Sequence, residues 1–215
     1  MRMTKKEIKL LERELAKCRN YLEYGAGGST KLAAKTRTIE SIVSVESDPI
    51  FVKDEVLTSV SVKHAIDNSR LRFLTVDIGP TVEWGYPLNS NKSYLWPNYA
   101  LSPFMHGSEV PDLILIDGRF RVACAITAAL EAPNATILIH DYSIREKYHF
   151  VEKFFEIKES ADSLFKFKRL HNFDEHIAKK YLKHYLYSPN DDSQTLYARS
   201  RRDLGSLKKK IFQLS

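Results

Sequence analysis

The chain has 215 residues, 43% of them hydrophobic, with a formal charge of +6 and a pI near 9.1; that length builds one sizeable core and is short for two ordinary domains. No apolar run approaches the ~20 residues a membrane span needs, and Met1-Arg-Met-Thr-Lys-Lys lacks the apolar core of a signal peptide. The only cysteines, Cys18 and Cys124, form no CxxC pair, which argues against a disulfide framework or zinc site and for a cytoplasmic protein.

Taken in order, Thr4-Lys-Lys-Glu7 is a capping-box pattern followed by Ile8, Leu11, Leu15 and Cys18 at helical spacing, so residues 4–19 are expected to form an amphipathic helix. Tyr21 to Tyr24 reads as a strand that runs into Gly25-Ala-Gly-Gly-Ser-Thr30, a turn where glycine tolerates positive φ and lets a ligand approach bare backbone. Ser29 or Thr30 is expected to cap the helix through Lys31–Lys35, aiming its free N–H groups at whatever the loop cradles. Ser41 to Glu46 is a short buried strand, and Asp48-Pro49 opens a helix marked by Val52, Val56 and Val60 as far as about residue 66. Leu71 to Asp77 is the third strand.

Residues 78–110 break the rhythm: they are rich in Pro, Gly, Asn and Ser yet carry Trp84, Tyr86, Tyr94, Trp96, Tyr99, Phe104 and His106. A connection this long suggests a lid or substrate wall, an internal packing core or an oligomer contact, a homodimer included. Pro111 to Asp117 is a strongly apolar strand ending in an acid, and Gly118-Arg-Phe-Arg121 opens a helix with Val122, Ile126, Ala129 and Leu130 on one stripe. Ala135 to Asp141 repeats the strand pattern and ends in His140-Asp141. Phe154–Glu159 and Leu164–Lys168 alternate around a turn as an antiparallel hairpin, and Asn172–Tyr187, with Ile177, Tyr181 and Tyr185 in register, closes the fold before Pro189. The expected architecture is one α/β domain over residues 1–189, a doubly wound Rossmann-like sheet, mostly parallel with a C-terminal antiparallel hairpin and helices on both faces. Residues 190–215 form a basic tail with six Lys or Arg against Asp191, Asp192 and Asp203, half of the +6.

The glycine loop decides between two nucleoside-binding patterns. In the dinucleotide fingerprint GxGxxG the third glycine would fall at Thr30, whose side chain obstructs close helix packing. Glu23-x-Gly25-x-Gly27, with Ser29 in place of a third glycine, resembles instead the motif of class I methyltransferases that use S-adenosylmethionine (AdoMet). Val-Glu46, Val-Asp77, Leu-Ile-Asp117-Gly-Arg and Ile-His140-Asp141 follow in that family's order, so the resemblance spans roughly residues 20–168.

The resemblance implies that Glu23, Gly25, Ala26, Gly27 and Ser29 surround the methionine part of AdoMet, that Glu46 takes its ribose and that Asp77 meets its adenine. Asp117-Gly-Arg-Phe120 does not fit the acid, two prolines and aromatic of enzymes acting on nucleobase amines, so a hydroxyl acceptor on a small or saccharide-like molecule is expected. A hydroxyl must lose its proton to attack, which needs a base or a cation. Asp117, His140 and Asp141 are the expected acceptor-side group, with His140 or Asp141 as base, Arg119 orienting the substrate, and Asp117 and Asp141 sharing Mg²⁺. A non-catalytic nucleoside-binding module and a nucleic-acid methyltransferase using the basic tail are the alternatives, the latter less favoured, and an NAD enzyme stands further off.

Overall fold

The computed structural model describes residues 3–105 and 109–192. Thr4 opens α1 (Lys5–Leu15) with the full capping box, its hydroxyl accepting from the Glu7 N–H while the Glu7 carboxylate accepts from the Thr4 N–H. Leu10, Leu11 and Leu15 point inwards. The chain then runs through β1 (Asn20–Tyr24), α2 (Gly28–Lys35) and β2 (Ser41–Glu46).

The single helix expected from 49 to 66 is broken. Asp48 caps a short α3 (Pro49–Phe51), a π-type turn covers Val52–Val56, and Ser59 in an extended conformation restarts the chain as α4 (Val60–Asp67). The wider turn shifts the helical phase; Val60 is thereby left 81% exposed, and Val62 and Ala65 take the core positions.

After β3 (Leu71–Thr75) the aromatic stretch proves to be structured. Thr81 bridges Pro87 in a small hairpin, and α5 (Pro97–Met105) starts on a proline whose missing N–H has no helical partner to lose. Trp96 and Tyr99 join the core, whereas Trp84 and Tyr94 are exposed; His106 lies outside the described residues. β4 (Leu113–Ile116), α6 (Arg121–Glu131), β5 (Thr136–Ile139), a 3-10 stretch (Glu146–Lys153), β6 (Phe155–Ala161) and β7 (Leu164–Arg169) follow, closed by α7 (Glu175–Tyr185) under an Asp174 cap. In α7 the inward positions are Ala178, Leu182 and Tyr185; Ile177 faces out.

The seven strands lie in the order β3-β2-β1-β4-β5-β7-β6, parallel from β3 to β5, with β7 antiparallel to both of its neighbours. Tyr24 pairs with Val45 and Ile116, and Ile116 with Ile139. Four strands therefore end level, and Gly25, Glu46, Asp117 and His140 stand along one rim.

Alternate residues feed two cores. Leu22, Tyr24, Val45, Ile114, Ile116 and Ile139 pack with residues of α5, α6 and α7, and Tyr21, Ile42, Leu113, Leu115 and Leu138 with α1, α2 and α4. Burial on both faces is why the central strands read as unbroken apolar runs. The C-terminal boundary expected at 189 is too early: Asp191 is 2% exposed and bonded to helix α6, so residues 190–192 belong to the domain. The rest of the basic tail lies outside the described residues.

Candidate active site

The glycine loop is held by backbone contact. Gly25 has φ +95°, donates its N–H to the Val45 carbonyl at 2.9 Å, and sits so close to Gly118 that a Cβ would fall 2.8 Å from that residue's Cα and N. On Gly27 a Cβ would meet nothing within 4 Å, so the crest of the loop is open. Helix α2 begins at Gly28, earlier than expected, and places Ser29 and Thr30 in its first turn.

The Ser29 and Thr30 hydroxyls differ at the start of the helix: Ser29 makes no cap, whereas Thr30 Oγ1 accepts the N–H of the N-cap residue Gly27 at 2.8 Å. Both hydroxyls donate, with Ser44 and Tyr21, to the carboxylate of Glu23, at 2.7 Å from Ser29, 2.7 Å from Ser44 and 3.1 Å from Tyr21. Burial pushes the Glu23 pKa up, and the four hydroxyls oppose the shift without cancelling it. Glu23 is 0% and Ser29 5% exposed, which corrects their expected place around the cofactor: both brace the loop from behind. Residues 21, 23 and 44 share one face because strand side chains alternate, a pairing visible only once β1 and β2 are known to be neighbours.

Glu46 closes the loop from β2. Its Oε1 accepts from the N–H groups of Ser47 at 2.6 Å and Asp48 at 3.2 Å, and its Oε2 from Ala26 at 3.1 Å. Burial raises its pKa, and these N–H groups work in the other direction. Asp77, expected at the adenine, is exposed; it accepts from the Gly79 N–H at 2.8 Å and pairs with Lys92 at 2.8 Å. That carboxylate forms the turn into the aromatic excursion and ties it down.

The 81–87 hairpin crosses the rim. A Cβ on Gly85 would lie 3.6 Å from Ser47 Oγ, past the end of β2, and 3.9 Å from Arg119 Cγ, past the end of β4. Arg119 stacks on the Tyr86 ring at 4.1 Å, is 8% exposed, and leaves its Nε buried without a hydrogen-bond partner. The expectation that Arg119 orients the acceptor is therefore corrected: it lies under the hairpin and does not line the pocket beside His140.

Asp117, His140 and Asp141 do converge. His140 Nδ1 is 3.0 Å from Asp117 Oδ1 and 3.5 Å from Asp141 Oδ1, and its Nε2 is 3.6 Å from Glu7 Oε2. Burial pulls the imidazole pKa down, but the Asp117 hydrogen bond and the charges of Asp117, Asp141 and Glu7 outweigh it, and the net shift is upward. For Asp117 burial works upward, whereas His140 and Arg121 bring the net shift below the ordinary carboxylate value. Asp141 adopts φ +57° and Phe120 φ +52°, left-handed backbone of a kind that clusters at functional sites.

Two contributors escaped the sequence reading. Arg121, 3% exposed, reaches Asp117 Oδ1 and Asp141 Oδ2 at 3.2 Å each and donates to the carbonyls of Gly118, His140 and Asp117. Its signal was the i,i+4 spacing from Asp117. Glu7 had no local signal, since it meets Ser163 across 156 residues, at 2.9 Å from the N–H and 2.6 Å from the hydroxyl. A pocket of about 450 Å³ opens here, lined by Thr4, Glu7, His140, Asp141, Ser143, Ile144, Asp162 and Ser163.

The donor set does not fit Mg²⁺. Asp117, His140 and Asp141 are close enough to ligate one ion, but the Arg121 guanidinium already joins the two carboxylates, and a divalent cation between them would face that buried charge. The expected metal role is thus corrected. AdoMet fits better: the open crest at Gly27, the single described bond on Glu46 Oε2 and the unpaired Arg119 Nε are capacity that a polar nucleoside with a carboxylate would use.

The strand order with its reversed β7, together with a glycine turn and an acid at the ends of β1 and β2, defines a Rossmann-like methyltransferase fold. Among solved structures, a methyltransferase-like protein from Silicibacter pomeroyi DSS-3 is 30% identical, with a TM-score of 0.76 over 88% of this chain and 97% of its own. The chain belongs to the class I AdoMet-dependent methyltransferase family. Looser likenesses are to the N-methyltransferase NodS from Bradyrhizobium japonicum WM9 (14% identity, 76% and 96% covered, TM-score 0.42) and to spermidine synthase from Thermotoga maritima (12%, 75% and 55%, 0.44). No family model and no curated protein sequence matches the chain. No helix among the described residues is long and apolar enough to cross a membrane.

Proposed function

We propose that the protein is an AdoMet-dependent methyltransferase acting on a hydroxyl of a small, saccharide-like acceptor, with His140 as the base. The observation that carries this reading is the Asp117–His140 pair at 3.0 Å beside a pocket lined by His140, Glu7 and Asp141. Bound AdoMet would supply an electrophilic methyl group. Gly25, Ala26 and Gly27 would hold its methionine part, Arg119 its carboxylate and Glu46 its ribose.

The chain's own residues do the rest. Asp117 accepts the Nδ1–H of His140 and so fixes the tautomer that leaves Nε2 free to take the acceptor's proton; the same carboxylate stabilises the imidazolium that results. Arg121 holds both acids in place without becoming a proton carrier. Thr4, Ser143 and Ser163 offer hydroxyls to a polyhydroxylated acceptor, and the 78–105 excursion, bridging from Ser47 to Arg119, acts as a lid that excludes water.

The test is a thermal-shift comparison of AdoMet, S-adenosylhomocysteine, NAD and buffer, then mass detection of methylated products from hydroxyl-bearing metabolites. Saturating AdoMet at about 100 times its dissociation constant should stabilise the fold by about 2.7 kcal/mol. No shift with folded protein would end the assignment. The roofed rim favours a second reading, a module that binds AdoMet without catalysis; in that case His140→Ala would match the parent in every product assay.

A further inference from the structure

Helix α6 supplies Arg121, the residue that joins both acids, yet it starts without a cap of its own. Its N-cap residue is Phe120, left-handed, buried and with no side-chain oxygen. The first-turn N–H groups of an 11-residue helix buried in this way need an acceptor from elsewhere.

We infer that Asp191 is a positioning residue of the active site: it reaches back from the C-terminal end of the described chain to cap α6, and so fixes Arg121 between Asp117 and Asp141. Asp191 Oδ1 accepts the Val122 N–H at 2.8 Å across 69 residues of sequence, and the side chain is 2% exposed. The turn that carries it is built for the purpose. Asp191 N–H donates to the Ser188 carbonyl at 3.0 Å, Asp192 N–H to Ser188 Oγ at 3.0 Å, and the Lys147 ammonium to the Asn190 carbonyl.

Asp191 itself stands at φ +54°, a backbone that aspartate adopts more readily than most residues. An anion at a helix N-terminus is favourable, which partly offsets the burial that pushes its pKa up to about 6. Arg121 is the first residue of α6, one position before the capped Val122. Any drift of that first turn is transmitted directly to the guanidinium and its contacts with the ends of β4 and β5.

The role rests on the reading of Asp117 and His140 as the proton-accepting pair, so the test is chosen to work without substrate. In the full chain, nitrogen-15 spectra follow the Arg121 Nε–H and the His140 ring nitrogens in the parent, Asp191→Ala, Asp191→Asn and Lys147→Met. Asp191→Ala should displace both signals and speed exchange of the Val122 amide by about tenfold or more. Asp191→Asn keeps an acceptor oxygen and should restore them, and Lys147→Met should give a smaller displacement in the same direction.

Once an acceptor is known, Asp191→Ala should lower kcat by about tenfold while KM for AdoMet stays put. Faster Val122 exchange with unmoved Arg121 and His140 signals would reduce Asp191 to a plain cap and overturn the inference. If Asp191→Ala fails to fold, unmoved signals in Lys147→Met together with unchanged Val122 exchange would do the same. Failure of the parent to bind AdoMet would remove the enzyme reading but leave this coupling standing.

Discussion

Gly118 is the position where the structure makes its sharpest demand. A Cβ there would lie 2.1 Å from the Tyr99 hydroxyl, 2.9 Å from the Gly25 nitrogen and 3.0 Å from the Tyr24 carbonyl carbon. Tyr99 cannot simply swing aside: it is 1% exposed and packs on Phe120 at 5.7 Å and Tyr24 at 6.1 Å between ring centroids. Overpacking of this kind costs about 1–3 kcal/mol, or roughly 2–12 °C in melting temperature for a domain of this size.

Tyr99→Phe alone removes a hydroxyl whose described bond is a long one, 3.4 Å from the Arg119 N–H, and should cost under about 1 kcal/mol. In Gly118→Ala/Tyr99→Phe the nearest clash disappears while the backbone ones remain. The double variant should therefore recover part of the loss, with a coupling of about 1 kcal/mol in urea unfolding. Gly118→Ala should also weaken AdoMet binding, because the displaced backbone is the one against which the Gly25 turn rests. Strict additivity in the cycle, or Gly118→Ala as stable as the parent, would refute the claim that β1 and β4 meet through bare backbone under Tyr99.

Three further outcomes follow from the same geometry. Because His140 has its pKa raised in the folded protein, its contribution to stability should be complete below the unfolded value of about 6.5 and fade as pH rises through the folded one; urea melts of the parent and His140→Asn across that range should converge at alkaline pH. The neutral imidazole is the base, so the acid limb of kcat/KM should have its midpoint above about 6.5 in the parent and move down in Asp117→Asn; an unmoved limb would remove Asp117 from the proton path. Glu23→Ala strips the acceptor from four hydroxyls and should destabilise by more than about 2 kcal/mol while weakening AdoMet binding, whereas Arg72→Ala in the edge strand β3 should leave binding intact; calorimetric titration of both variants checks this.

How much was legible beforehand follows the range of the interactions involved. The strands of β1, β2, β4 and β5 and their polar ends were readable because burial on two faces leaves uninterrupted apolar runs closed by an acid or histidine, and the capping box at Thr4 because it spans one helical turn. Helix phase was less secure. The π-type turn at 52–56 moved the buried stripe from Val60 to Val62, and α5 was hidden inside a stretch whose prolines suggested a loop.

The sequence by itself determined that one sheet would carry a glycine turn and a row of acids at its carboxyl rim, since strand alternation and glycine's backbone freedom are local properties. Only the tertiary structure decided what each acid faces. Glu23 turned away to four hydroxyls, Asp77 to its own turn, and Arg119 under the hairpin, while Glu7, Arg121 and Asp191 came to the site from distant parts of the chain. Those choices depend on which strands are neighbours and which helix ends need an acceptor, and neither is written in the spacing of residues along a single segment.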